Sequence, residues 1–480
     1  MLADARKVRA DEANEGIFWA RFGYAIPTIS EGFASLYGDG AAAARGKERP
    51  EALLVEAWRE RPPDLRGRDR DSEAGPWHLR PGLSASMLYL DRFAGDFPGF
   101  ARRLDWLSDL GIDIVHLIPF MKSPPGENDG GYAVSDYLGV DPRLGVDDDL
   151  LDTARLLHNR NMFLAADLVL NHSSDRHPWA LAARAGDPRY RSYYWFFPDR
   201  EIPDRFDAAM PEVFVEMLAI ILGMANRGVD LIRLDAVPYL WKRPGTNCQN
   251  LPESHAIVRL LKAAASVVAP SLAFLAEAIV QPAEIVKYLD AAGKEECQLA
   301  YHASLMALMW ESRISGTCAS LCGLERALDS GDEIASLNDY SYEEVPEFAA
   351  DNRWMHRPRM DWEVAAKAAR GEGHEGRILS CVRRCLRLRR SLPALAQDAP
   401  FEVLDSEEGL WAVLRSPPDR ASAPLLVLAN FTEADRNYEP DQRSLDPAGE
   451  GFVALLAEGA AFGRSPIPIA ALGVRWLARR

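Results

Sequence analysis

Gly228-Val229-Asp230-Leu231-Ile232-Arg233-Leu234-Asp235-Ala236 is the stretch on which the fold turns. From Val229 to Leu234 it is apolar and β-branched around Asp230 and Arg233, which suits a strand buried on both faces. Side chains alternate across a strand, so Val229, Leu231, Arg233 and Asp235 share one face. Arg233 and Asp235 then stand side by side at the carboxyl end, where parallel α/β folds place their chemistry. A structural ion pair capping the strand fits this stretch equally well, because such pairs also perturb carboxylates without catalysis.

On either side of this stretch, strands alternate with helices. Strands are expected at 86–90, 112–120, 162–170 and 272–276, with a weaker one at 297–301. Helices are expected at 98–110, 147–161, 212–227, 253–268 and 283–292. Repeated strand–helix units with apolar strands imply a parallel sheet, most economically closed as a TIM-type (β/α) barrel. Between 312 and 377 no run reads as a buried parallel strand, so this α/β barrel is expected to lack about two strands, the seventh and eighth. After Pro400, five short apolar runs separated by turn residues predict a small C-terminal β-sandwich. Residues 1–80 read as helical and then irregular, with a charged, Pro- and Gly-containing linker at 59–77. The expected organisation is a helical region at 1–80, a barrel at 81–395 with a shortened insertion at 172–212, and an all-β domain at 396–480.

Bulk properties limit the function. A formal net charge of −16 over 480 residues argues against nucleic-acid or anionic-membrane partners and favours a neutral or cationic ligand. No apolar run reaches membrane-spanning length, and the first residues lack an apolar signal core. A cytoplasmic protein, monomeric or homodimeric, is expected. Six cysteines lie at 248, 297, 318, 322, 381 and 385. The last four form i, i+4 pairs without the two-residue gap of zinc knuckles or a histidine at ligand spacing. They read as buried free thiols, and neither a metal nor a cofactor is expected.

Chemistry-bearing residues recur at strand ends. The second strand leads to Asp129-Gly130-Gly131-Tyr132, the third carries Asp167 and ends at Asn171-His172, the fourth bears Arg233 and Asp235, and the fifth ends at Glu277. Two carboxylates on adjacent strand ends can flank one glycosidic bond, and retaining glycosidases need that pair about 5–5.5 Å apart. Arg233 beside Asp235 should keep it ionised. Glu277 ends the apolar run Ala273-Phe274-Leu275-Ala276, a setting that raises a carboxyl pKa and leaves it protonated as an acid.

At these residues the chain resembles the α-amylase family of glycoside hydrolases and glucosyltransferases, and within it the amylosucrases. The resemblance runs over nearly the whole chain and rests on the segments at 89–96, 116–124, 128–135, 167–172, 196–200, 232–237, 276–280 and 353–360. It implies that Asp235 is the nucleophile and Glu277 the acid/base, with Arg233 orienting the nucleophile. It also implies that His172 holds a sugar hydroxyl, that Tyr132 stacks under the glucosyl ring, and that Asp129 pairs with Arg353 to close the pocket behind one glucose. The implied reaction transfers glucose from sucrose to an α-1,4-glucan acceptor and releases fructose, with no metal or nucleotide.

The chain also departs from that pattern. The family's His-Asp pair after strand seven, whose aspartate acts in the transition state, has no counterpart, since no His-Asp dipeptide occurs. Asp339 and Asp351 are candidates to replace it. The excursion after strand three is short, with 210–214 running directly into the next helix. Two alternatives therefore stand beside the polymerase: a sucrose hydrolase, and a catalytically impaired sugar- or glucan-binding remnant.

Overall fold

The computed structural model describes residues 2–38, 41–126, 128–194, 211–243, 245–289, 296–302, 359–396, 399–419, 422–439, 452–456, 461–462 and 466–479, together with 308, 309, 311, 312, 315 and 344. Its centre is a parallel sheet of six strands: β1 (Ala85–Tyr89), β2 (Ile114–Ile118), β5 (Phe163–Val169), β6 (Leu231–Asp235), β7 (Ala273–Ala276) and β8 (Leu299–Ala300), in that spatial order. Among the described residues the sheet is open, a half-barrel with β1 and β8 at its edges. The full barrel is not seen in them, and most of the region expected to lack strands seven and eight lies outside them. A short hairpin of β3 (Met121–Lys122) and β4 (Asp136–Val140) follows β2, inside what the sequence presents as a loop.

Alternation along these strands gives the sheet two faces with different jobs. Val115, Leu117, Leu164, Ala166, Leu168, Ile232, Leu234 and Phe274 face the helices in one large apolar core. The helices are α5 (Phe97–Leu110), α6 (Asp147–His158), α9 (Pro211–Asn226) and α10 (Pro252–Val268); α7 (Pro178–Arg184), α8 (Pro188–Arg191) and α11 (Pro282–Ile285) are short. Each starts and stops for a local reason. In α5, Asp96 accepts the Gly99 amide at 2.6 Å as N-cap, and Gly111, at φ +97°, ends the helix in the left-handed region. Before β6, Gly228 sits at φ +91°, and a β-carbon there would come within 2.8 Å of the Ala154 side chain. Only glycine makes that turn without displacing α6.

The opposite face is divided along its length. Ile114, Phe163, Ala165, Leu231 and Ala273, from the amino halves of the strands, gather with Trp77 into a separate apolar cluster. Trp77 stacks on Phe163 at 4.1 Å between centroids, and its indole N–H donates to the Ser271 carbonyl at 2.8 Å. It plugs the amino-terminal end of the half-barrel. Trp77→Ala should destabilise the fold by about 3–5 kcal/mol, as large-to-small core truncations do. Denaturant unfolding followed by fluorescence checks this, and a cost under about 1 kcal/mol would show that the end is not sealed by this ring.

The N-terminal region differs from the expectation at one point. After α1 (Leu2–Tyr37) and α2 (Ala41–Glu60), the charged stretch read as a linker is largely helix α3 (Pro63–Ala74). Several of its charges turn inward rather than to water. Arg61 is buried and pairs in fork geometry with Asp69, which also accepts from the Ser271 hydroxyl at 2.6 Å. Arg68 reaches buried Asp230 at 2.8 Å, and Asp230 also accepts the Leu164 amide and contacts His158. Phe18, Phe33, Leu54 and Trp58 of α1 and α2 join the core of the barrel helices.

Toward the C terminus come α12 (Trp362–Ala369) and α13 (Gly373–Ser391), then two antiparallel sheets. Six strands pair in one: β9 (Phe401–Leu404), β10 (Leu410–Arg415), β11 (Leu425–Asn430), β13 (Phe452–Ala454), β14 (Ala461–Phe462) and β16 (Val474–Arg479). The other joins β12 (Arg436–Tyr438) to β15 (Ile467–Ile469), and the two share a core around Leu426, Leu428, Tyr438, Ile467 and Leu477. The expectation of buried thiols holds for Cys297 but not for Cys381, which is exposed on α13. Cys318 and Cys322 lie outside the described residues. Among those residues no group of three or more His, Cys, Asp or Glu could hold a metal, and no helix is long and apolar enough to cross a membrane.

Candidate active site

On the face sealed below by Trp77, the carboxyl halves of the strands carry ionisable groups instead of apolar ones. Parallel register sets Asp167 of β5 beside Arg233 of β6, and Val169 beside Asp235. Leu234 pairs with Ala276 of β7, which brings Glu277, the next residue, to the same level. Arg233 is the hub. One guanidinium nitrogen donates to Asp167 and, at 3.0 Å, to Asp235 Oδ1, while the other pairs with Glu277 Oε1. The Ala236 amide donates to the second Glu277 oxygen at 2.9 Å. Ala236 adopts φ +48°, so the chain turns sharply just after Asp235 and aims that amide at Glu277.

Electrostatics separate the two carboxyls less simply than the sequence suggests. Burial pushes Asp235 above the usual carboxylate range, and the opposing pull of Arg233 does not fully offset it. The expected pull of Arg233 on Asp235 is present, and desolvation is the larger effect on so buried a group. Glu277 is pushed up to about 7, first by burial and then by Asp235, against the pull of Arg233 and the Ala236 amide. The carboxyls share a side-chain hydrogen bond that raises Glu277 and lowers Asp235, as expected if Glu277 keeps the proton. Burial lowers the pKa of Arg233, but Asp167, Tyr132, Glu277 and Tyr301 together raise it, so it stays a cation.

The remaining predicted residues fall at different places. Tyr132 sits over the cluster, its ring centroid 5.7 Å from the Arg233 guanidinium carbon and its hydroxyl 3.4 Å from Asp167 Oδ2. His172 is at the rim, its backbone carbonyl accepting from the Tyr137 hydroxyl at 2.8 Å. Burial lowers its pKa, which favours neutral imidazole. Asp129 lies in a short 3-10 turn at φ +58°, steadied by Asn128, whose side chain bridges the Pro124 carbonyl and the Gly131 amide. Arg353, Asp339 and Asp351 lie outside the described residues.

Three residues not assigned from sequence complete the cluster. Asp167 holds Arg233 from β5, His116 of β2 contacts Asp167 Oδ2 at 3.2 Å, and Tyr301, just after β8, stands with its ring 5.9 Å from the Arg233 guanidinium. The signal for the first two is visible in hindsight. Each is the one ionisable side chain inside an otherwise apolar, fully buried strand, and a buried charge is tolerated only when partnered.

Residues 64–214 match the family model described as the α-amylase catalytic domain. Among curated proteins, the trehalose synthase/amylase TreS of Mycobacterium tuberculosis (strain CDC 1551 / Oshkosh) is 34% identical over 252 residues, 44% of this chain and 41% of that protein. The glucosylglycerate phosphorylase of Spirochaeta thermophila is 29% identical over 335 residues, 61% of this chain and 54% of that protein. The chain thus spans roughly half the length of these relatives or less. Among solved structures, the trehalulose synthase MutB of Pseudomonas mesoacidophila MX-45 superposes with a TM-score of 0.62 over 84% of this chain and 100% of that one, at 18% identity. That likeness concerns the fold. Amylosucrase is not the named activity of any of these three relatives.

Proposed function

We propose that the chain is a retaining glucosyl-transferring enzyme of the amylosucrase kind, taking glucose from sucrose to an α-1,4-glucan and releasing fructose. The observation that carries it is the pair Asp235 and Glu277, held at adjacent strand ends by one guanidinium with the proton on Glu277. Asp235 Oδ attacks the anomeric carbon as Glu277 gives its proton to the glycosidic oxygen, so the C1–O bond breaks and fructose leaves with that proton. The glucosyl group is then an ester of Asp235. Glu277, now a carboxylate, takes the proton of an acceptor hydroxyl, which attacks C1 and restores Asp235. Arg233 steadies both carboxylates, Tyr132 offers a ring face to the sugar, and His172 a neutral imidazole to a hydroxyl. Asp129 and Arg353 close the far end of the pocket in this reading. Neither cofactor nor metal enters these steps. Four free thiols among the described residues suit the cytoplasmic setting proposed with it.

The test is direct. With sucrose and a maltooligosaccharide, the intact chain should release fructose and lengthen the acceptor. Equal glucose and fructose without elongation would instead assign a hydrolase. Saturable sugar binding with no fructose at high enzyme concentration would leave a binding remnant, the reading that the missing His-Asp pair favours.

A further inference from the structure

A second feature lies away from the carboxylates. The turn after β1 forms a one-turn helix, α4 (Leu90–Phe93), and between it, α5 and the segment leading into α12 opens a pocket of about 280 Å³. Several times the roughly 30 Å³ of one liquid water, it has room for a phosphoryl group and part of what carries it. Its walls include Arg92, Arg102, Arg103 and Arg359 against a single carboxylate, Asp91. Arg92 is turned toward that carboxylate, 3.5 Å away. The other acids nearby are engaged. Asp96 caps α5 through the Gly99 amide, and Asp361 caps α12 through the Glu363 and Val364 amides. No ion pair among the described residues engages Arg102, Arg103 or Arg359. In a chain of net charge −16, three guanidinium groups at one pocket without a carboxylate partner among the described residues are an exception that needs an account.

The frame around them is fixed before any ligand arrives. Met360 donates its amide to the Arg92 carbonyl at 2.8 Å, and Trp362 donates its indole N–H to the Phe93 carbonyl at 2.9 Å. Trp362 also packs edge-on against Phe93 and Trp106. Arg103 lies flat on this anchored ring, its guanidinium carbon 4.1 Å from the centroid, so a cation–π contact holds its position. Guanidinium groups recognise phosphate oxygens in fork geometry, and positions set in advance lower the entropic cost of doing so.

We propose that this pocket binds a phosphate or phosphate-monoester group, as inorganic phosphate or carried on a sugar, at a site sharing no residue with the Asp235–Glu277 cluster. Calorimetric titration of the intact chain at low salt with inorganic phosphate, glucose 1-phosphate and glucose 6-phosphate should show saturable binding of about one ligand per chain. Tighter binding of a sugar phosphate than of phosphate supports a sugar-borne ligand, and equal binding supports the free ion. The double variant R102Q/R359Q alters two exposed side chains. It should weaken binding at least tenfold and abolish the phosphate-induced rise in melting temperature, while its ligand-free circular dichroism and melting stay as in the parent. Glu277→Gln should bind as the parent does. No saturable binding of any probe overturns the proposal. So does binding undiminished in R102Q/R359Q, or binding lost in Glu277→Gln, which would place the anion among the catalytic carboxylates.

Discussion

Asp235→Asn is expected to lower fructose release from sucrose by at least ~10⁴-fold while leaving the fold intact, the scale seen when a nucleophile is removed from a site whose parts act together. The residue sits at the last position of β6, register-paired with Val169, with Arg233 at 3.0 Å. Asparagine keeps the shape and one acceptor oxygen for Arg233 but cannot form the glucosyl ester. Removing a carboxylate that burial already pushes toward neutrality costs the folded state little, so melting should change by only a few degrees. Steady-state fructose release and thermal unfolding of parent and variant decide the matter. If the variant kept more than a few per cent of the parent rate, Asp235 could not be the nucleophile.

The second large effect concerns Glu277 and pH. In the free protein its carboxyl is pushed up to about 7, so it is protonated below that value and ionised above it. A group that must donate a proton in the first step is competent only in the first state. Accordingly kcat/KM should be level up to about one pH unit below that value, halve near it and approach a tenfold fall per unit about one unit above it, because that parameter reports groups of the free enzyme. Glu277→Gln should abolish the limb and reduce the rate on sucrose about 10²–10⁴-fold. The loss should be much smaller on a nitrophenyl glucoside, whose leaving group departs without a proton. An unchanged alkaline limb in Glu277→Gln would assign it to another group. Stability carries the same sign. The folded pKa exceeds an unfolded value near ~4.3, so the native state holds this proton more tightly. The resulting stabilisation is complete below about 4.3 and lost as pH rises through about 7. Melting of Glu277→Gln should therefore gain on the parent between pH 5 and pH 8.

Much of this was legible from the chain alone, for identifiable reasons. Strands β2 and β5 announce themselves because they are buried on both faces and consist almost wholly of apolar residues, and β6 because apolar residues flank its buried arginine. Asp235 and Glu277 were visible because each is a carboxylate directly at the end of such a run. Asp167 and His116 were harder to assign, since a charge within a strand acquires meaning only through a register that local sequence does not encode. Residues 59–77 misled because charge density normally marks solvent. Here Arg61 and Arg68 find carboxylates far away in sequence or already folded against them. The β3–β4 hairpin and the short strands β12, β14 and β15 carry too few residues to show periodicity. That burial acts on Asp235 more strongly than Arg233 does is not legible in sequence, because an adjacent cation is visible there and the depth of burial is not.

The division of one sheet face into an apolar end under Trp77 and an ionised end around Arg233 bears on how such a protein can change over generations. Buried charges at the carboxyl ends cost stability, whereas the apolar packing of the ring-plugged end supplies it. The two ends draw on different positions along the same strands. Substitutions that adapt the upper rim to a new leaving group or acceptor can therefore accumulate without disturbing what holds the strands together. A sheet built in this way is a durable chassis for drifting specificity.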